Sequence, residues 1–317
     1  MSKFKRLPKD RESGVILVSV LWLVALVSVL ILGALQEWRT ELKLAANFQA
    51  KAQCRRLAEG GVYYAIGKIL AREIAARNPE TPLQDANSQE FWLTDGSLHT
   101  LKLPVGRIEI VITDEAGKLN LNTASREDLE KLFNVWEYSS DQIRNMVEAI
   151  LDWRTWTPGD KTFFRSLTRP AYSGNNFPFD TVEEILWLPA CAGLAPSRLS
   201  ACFTVQKVAA AINLNSASPD VLMALGLTAA QAQQIVEARS VQPFRDPQAL
   251  SDMVDFSQRP DLQTRVTLQT SVFYTIFSSG MVDYNKSRHS VKAIVRLNLD
   301  KPDLWTILYW ADDYPSE

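Results

Sequence analysis

Residues 15–36 carry no charged side chain, and almost every position is apolar. As a helix rising 1.5 Å per residue, such a run spans roughly 30 Å, the thickness of a bilayer's hydrocarbon core. The flanks differ in charge. Lys3, Lys5, Arg6, Lys9 and Arg11 precede the run, diluted only by Asp10 and Glu12, whereas Glu37, Arg39, Glu41 and Lys43 follow it and balance. The basic excess is expected to stay in the cytoplasm, so the C-terminal bulk crosses the membrane. A secretory signal fits poorly. The run exceeds the roughly 7–15 apolar residues of such a signal, and Leu32 occupies a place where a small-x-small cleavage site needs a small residue.

The helical pattern continues beyond the lipid. Proline is absent from residues 15–78, and Leu42, Ala45, Ala46, Leu57, Gly61, Tyr64, Ala65 and Ile69 recur at helical spacing. A helix of about 60 residues is too long for an ordinary globular element. The pattern predicts a membrane helix whose second half is amphipathic and packs against a sheet. Strands are predicted at 106–114 (GRIEIVITD), where Ile108, Ile110 and Ile112 alternate with Glu109, Val111 and Thr113, and in SVFYTIFSSGMV, SVKAIVRLNL and WTILYWAD near the C-terminus. Asp283-Tyr284-Asn285 and Asp300-Lys301-Pro302-Asp303 supply the turns between the last three. Residues 115–268 read as mostly helical.

That middle region repeats itself. KLNLNTASREDLEKL (118–132) echoes AINLNSASPDVLMAL (211–225), with Asn120, Leu121, Asn122, Ala124, Ser125, Leu129 and Leu132 matching Asn213, Leu214, Asn215, Ala217, Ser218, Leu222 and Leu225. Ser125 and Ser218 read as N-caps, the first with Asp128 in a capping-box position and the second with Pro219 at the first helical position. Each copy leads into a second helix, with Ile143, Met146, Val147, Ile150 and Leu151 on one face in the first and Ala232, Ile235 and Val236 in the second. In FDTVEEILWL, Asp180 is expected to cap a further helix, with Glu183 closing the box.

Such hairpins can grip DNA phosphates through a Gly-x-Gly turn with basic neighbours. Here the second copy keeps Gly226 but has Thr228 for the other glycine, and the first has Glu137 and Asp141 near its turn. The formal net charge of −2 also lacks the basic excess that phosphate neutralisation demands. The hairpins are expected to be packing elements, with no nucleic-acid partner. Composition otherwise suits a folded chain, at 46% hydrophobic residues. No G-x-S-x-G, H-E-x-x-H or phosphate-cradling glycine loop is present, so no enzyme is expected. Of the three cysteines, Cys191 and Cys202 are near enough in sequence to close a short disulfide loop, or they are two small buried thiols.

The basic leader ends in Ser13-Gly14, directly before the apolar run, and resembles the signal that prepilin peptidase cuts after glycine on the cytoplasmic side. Together with AEGGVYYAI, DEAGKLNLNTAS, ILDWR, PFDTVEEILWLPACAG and INLNSASPDVL, in that order along essentially the whole chain, it resembles the minor pseudopilin K of type II secretion systems (general secretion pathway protein K). The resemblance implies an α+β fold: a pilin-like long N-terminal helix on a small antiparallel sheet, with a large inserted all-helical domain holding two helix-hairpin-helix-like units. The implied divisions are a leader over 1–14, a transmembrane segment over 15–36, helix and first strands over 37–114, the inserted domain over 115–268, and closing strands over 269–317.

It further implies cleavage between Gly14 and Val15, N-methylation of Val15, and a single-pass inner-membrane protein with a periplasmic head at the tip of a pseudopilus. The implied partners are minor pseudopilins I and J, with minor pseudopilin H and the major pseudopilin beyond them, the prepilin peptidase, and the inner-membrane platform. The fifth mature position, glutamate in most pilins, is Ser19, as is typical of the K component. A minor pilin of a type IV pilus or competence machine is the nearest alternative and more often keeps that glutamate. Some K components bind calcium. The acidic cluster after DWR is thinned here to Asp152 and Asp160, which remain the calcium candidates against the six to eight oxygens calcium usually takes; capping and solvated carboxylates are the favoured reading, and no other cofactor is expected.

Overall fold

In the computed structural model, the described residues are 12–77, 92–155, 178–250, 253–254, 256, 259–283 and 287–314. The chain divides after Gln53 into two compact units. Helix α1 (Glu12–Arg77) begins in the first and ends in the second. In the first unit every described side chain from 15 to 49 is exposed, including Leu17, Leu21, Trp22 and Leu30. By length and composition this valine- and leucine-rich helix is apolar enough to cross a membrane, and a helix satisfies its backbone groups within one segment.

The second unit, residues 54–317, holds a five-stranded antiparallel sheet and a helical region. Strands β1 (Asp95–Leu103) and β2 (Gly106–Asp114) form a hairpin. The chain then runs through a 3-10 turn (Glu115–Gly117), β3 (Leu119–Asn120), α2 (Arg126–Val135) and α3 (Ser140–Thr155). A second 3-10 segment (Val182–Trp187) leads to α4 (Pro196–Cys202), β4 (Phe203–Thr204) and β5 (Ile212–Asn213). Next come α5 (Pro219–Ala224), α6 (Ala229–Val241), α7 (Pro260–Arg265) and β6 (Val266–Thr267). The chain returns to the sheet in β7 (Phe273–Met281), β8 (Arg288–Leu297) and β9 (Trp305–Asp312). The sheet order is β1-β2-β7-β8-β9, so the strands before and after the helical region meet where β2 pairs with β7.

The alternation in β2 comes out as read: Ile108, Ile110 and Ile112 are buried and Glu109 is not. Strands β7 and β8 are buried along most of their length, because both faces of the sheet centre are covered. Two parallel strand pairs, β3 with β4 and β5 with β6, are too short to leave a sequence pattern.

The segment after Asp180 differs from expectation. It is a 3-10 helix capped at Thr181 without a side-chain bond. Glu184, not Glu183, reaches back, its Oε2 accepting from the Asp180 N–H at 3.1 Å. Glu183 is drawn away by Lys292, whose Nζ donates to it at 2.5 Å. Leu42, Ala45 and Ala46 are exposed rather than packed, and Tyr64 is 43% exposed, so the buried stripe of α1 begins later and runs through Cys54, Ala58, Val62, Ala65 and Ile69.

Candidate functional site

The end of α1 lies against the sheet at unusually close range, and two glycines permit it. A Cβ on Gly280 of β7 would sit 2.2 Å from the Cys54 carbonyl oxygen and 2.7 Å from the Ala58 nitrogen. A Cβ on Gly61 of the helix would meet Ser278 Oγ at 2.2 Å and Ile108 Cγ2 at 2.7 Å. Farther along, the Tyr274 hydroxyl donates to Glu73 Oε1 at 3.1 Å. Burial pushes the Glu73 carboxyl above its ordinary range, against the pull of Arg72 and that hydrogen bond.

Each repeated motif builds the same device. Asn120 Oδ1 accepts from the Asn122 N–H, and Asn213 Oδ1 from the Asn215 N–H, at 2.9 and 3.0 Å. Asn122 then clamps Phe179 through both backbone groups, donating Nδ2 to its carbonyl and accepting from its N–H. Asn215 does the same to Phe244. An arginine closes each turn from the second helix of the pair: Arg154 Nη1 donates to the Leu121 and Ala124 carbonyls, and Arg239 Nη1 to those of Leu214 and Ala217. The Ser125 and Ser218 caps form as read, the first with Asp128 in a full capping box. The sequence reading missed both arginines and both phenylalanine clamps. Aligning the arginine of DWR with that of EARS would have pointed to the first.

The hairpin turns leave nothing for a phosphate. Gly226 and Glu137 occupy the same left-handed place, with φ of 96° and 63°. In the second copy the N–H groups of Gly226, Leu227 and Thr228 go to Met223 O, Leu222 O and Gln231 Oε1. In the first those of Glu137, Tyr138 and Ser139 go to Asn134 O, Phe133 O and Gln142 Oε1. Arg259 Nη2 also donates to the Gly226 carbonyl at 2.6 Å. Helix α2 has 10 residues and α5 has 6, a difference of about one turn.

The second motif is bolted to the sheet. Asp114, at the end of β2, accepts from Asn213 Nδ2, the Ala116 N–H, and the N–H and hydroxyl of Ser271. Burial raises its carboxyl and those four donors oppose the rise. Beside it Lys118 pairs with Glu115, which also accepts from the Thr275 hydroxyl at 2.6 Å. The 3-10 segment is tied to β8 by Lys292, whose ammonium lies 4.8 Å from the Tyr314 ring centre while bonded to Glu183. Burial lowers that lysine's pKa and the carboxylate partly restores it.

The remaining expected residues lie apart. Gly14, Val15 and Ser19 are on α1, where the Ser19 hydroxyl donates to the Val15 carbonyl at 2.9 Å. Cys191 and Cys202 are buried free thiols, and Cys202 Sγ lies 3.3 Å from Ser218 Oγ. Of the two readings of that pair, separate buried thiols is the one this structure has. Asp152 is exposed on α3, and Asp160 lies outside the described residues. Among the described residues no group of three or more His, Cys, Asp or Glu is placed to hold a metal ion.

Comparison with known proteins follows this architecture. A family model described as Type II secretion system (T2SS), protein K matches residues 212–270, the stretch that holds the second motif, its helix pair and β6. Type II secretion system protein K of Pseudomonas aeruginosa is 25% identical over 258 residues, covering 74% of each chain. A chain in the crystal structure of the GspK-GspI-GspJ complex from the enterotoxigenic Escherichia coli Type 2 Secretion System superposes with a TM-score of 0.53 at 14% identity, covering 81% of this chain and 97% of that one. The resemblance to protein K is borne out, and the shared fold has the long N-terminal helix and antiparallel sheet.

Proposed function

We propose that this chain is a minor pseudopilin of a type II secretion system, seated at the tip of the periplasmic pseudopilus, where it starts assembly and supports export of folded proteins across the outer membrane. One observation carries the reading. A helix whose stretch 15–36 is uncharged and long enough for a bilayer leads on in sequence to a sheet-bearing head, and 81% of the chain superposes on 97% of a chain from the GspK-GspI-GspJ complex. Residues 15–36 stand in the inner membrane with the N-terminus cytoplasmic and the head periplasmic. Residues 37–114 and 269–317 make the pilin-like body, and 115–268 are the inserted helical domain. Minor pseudopilins I and J are the partners.

The Ser19 geometry gives the tip position a physical basis. A carboxylate within lipid is costly and persists only where it finds a partner. The Ser19 hydroxyl is satisfied by its own helix, so this subunit needs no neighbour ahead of it. The bulk of the helical domain bars addition above it. The reading is assembly rather than catalysis: the buried carboxylates and lysines described above are spent on one another, on hydroxyl and amide side chains, and on backbone groups.

Co-expression with a prepilin peptidase tests this directly. Intact mass and N-terminal sequencing should give a mature chain starting at methylated Val15, and Gly14→Leu should leave it uncut and stop secretion. Tagged mature protein should then capture minor pseudopilins I and J. Normal secretion by the Gly14→Leu protein would defeat the proposal.

A further inference from the structure

The helical region has a core of its own. Among the described residues, its buried apolar cluster, from Leu119 to Leu262, and the half-buried apolar side chains packed on that cluster all come from 119–268 and none from the sheet. The sheet keeps a separate apolar layer, with Ile110, Ile112, Ile276, Val291 and Ala293 fully buried. Between the two lies a cavity of about 790 Å³, floored by Val111, Thr113 and Phe277 and roofed by α4, α5 and α6. A gap of that size forfeits the dispersion contacts that close packing would supply. Two bodies with separate cores move relative to one another unless a large apolar interface holds them.

The polar ties across the gap gather at two places. The first is a pivot. The chain passes between sheet and helices twice, after Asp114 and before Phe273, and Asp114 holds both crossings. It accepts from the Ala116 N–H on the outgoing chain, from the N–H and hydroxyl of Ser271 on the returning one, and from Asn213 of the second motif. The buried Lys118, Glu115 and Thr275 lie beside it. At the same end Arg239 reaches the carbonyl of Asp95, the partner of Thr113 in register, at 3.4 Å. A Cβ on Gly117 would lie 2.4 Å from the Ser216 carbonyl carbon, so the outgoing turn has no slack against the second motif. Two crossings pinned to one side chain at the end of a strand make a hinge.

The second place is a latch. Glu183, in the 3-10 segment, accepts from Lys292 Nζ at 2.5 Å and from the Tyr314 hydroxyl at 3.3 Å. Lys292 is on the cavity face of β8, opposite Phe277 in register, and its ammonium lies near the rings of Phe277, Tyr309 and Tyr314. Asp114 aligns through Tyr274 with Val295. The latch therefore stands two strands over and three residues along from the pivot, about 14 Å by the usual sheet spacings. We propose that the helical region is a lid, hinged at Asp114 and latched by Glu183 to Lys292, that swings as one body off the cavity face of β2, β7 and β8. The structure has the lid closed.

The test uses the full chain in detergent micelles with Val111→Cys on the half-buried cavity floor, and a maleimide on a polyethylene glycol chain too bulky for the cavity. Labelling should be slow with the latch intact and about tenfold or more faster with Glu183→Ala, the effect of losing one hydrogen bond to a charged group. Lys292→Met, which keeps an apolar stem among the rings, should act in the same direction. The native thiols separate a swing from unfolding. Cys191 and Cys202 lie inside the helical core and Cys54 is buried on α1, and each should stay unlabelled throughout. Labelling as slow in both latch variants as with the latch intact, or native thiols reacting in step with the new one, would overturn the proposal.

Discussion

Replacing Gly280 by alanine adds one methyl group, and its cost can be worked from three distances. The new carbon would lie 2.2 Å from Cys54 O, 2.6 Å from Leu57 Cβ and 2.7 Å from Ala58 N. Comfortable non-bonded carbon contacts are about 3.5–4.0 Å, so α1 or β7 must move by roughly 1 Å. Two of the three atoms are helix backbone, and no rotamer change relieves them. Overpacking of this kind costs about 1–3 kcal/mol. Against it stands about 0.4–1 kcal/mol from the stiffer unfolded chain, which leaves a net loss of about 1–2 kcal/mol. Gly67, on the exposed side of the same helix with no atom within 4 Å, supplies the opposite case. Gly67→Ala should stabilise by about 0.5–1 kcal/mol, the helical difference between the two residues. Thermal unfolding of the full chain in mild detergent, followed by near-UV circular dichroism, reads both, at about 2–4 °C per kcal/mol for a unit of this size. A Gly280→Ala protein as stable as its parent would refute the close-approach argument, and the Gly67→Ala sign shows whether the assay reports on this helix.

The Glu73 carboxyl is raised by burial, so the folded chain holds its proton more tightly than the unfolded one. The stability this gives is complete below the ordinary glutamate value of about 4.3 and is lost as pH rises through the folded value. Melting temperatures from pH 4 to 7 should therefore show Glu73→Gln gaining on the parent as pH rises, and a constant difference would contradict the assignment. Asn215→Ala strands the Phe244 N–H and carbonyl, and Asn122→Ala does the same to Phe179; each should cost about 2 kcal/mol in urea unfolding. Cys191 and Cys202 are pushed up to about 12 by burial, leaving about one thiolate in ten thousand at pH 8. Iodoacetamide should label them only after denaturation, and the non-reduced mass should equal the reduced one.

What the sequence disclosed followed from period and punctuation. The long N-terminal helix, the alternating isoleucines of β2 and the serine caps are local signals, and each came out where it was read. Strand β1 (DGSLHTLKL) was not read, because its apolar residues Leu98, Leu101 and Leu103 do not alternate and both of its faces carry polar side chains. The 3-10 segment was misread for another reason: Glu183 suits a capping box locally, but Lys292, more than a hundred residues later, competes for it. Long-range polar pairing of that kind leaves no mark on spacing.

The two motifs show the same limit from the other side. Their asparagines and serines looked like ways to start a helix, which accounts for only half of what they do. The second asparagine of each pair holds a distant phenylalanine backbone, and an arginine from the next helix ties off the turn. These bonds tie each helix pair together through groups of the chain itself. Between the copies, the difference lies in what the first asparagine does with its spare amide. Asn120 gives it to Gln206 O, inside the helical region, whereas Asn213 gives it to Asp114 at the end of β2. One repeat thus packs and the other anchors.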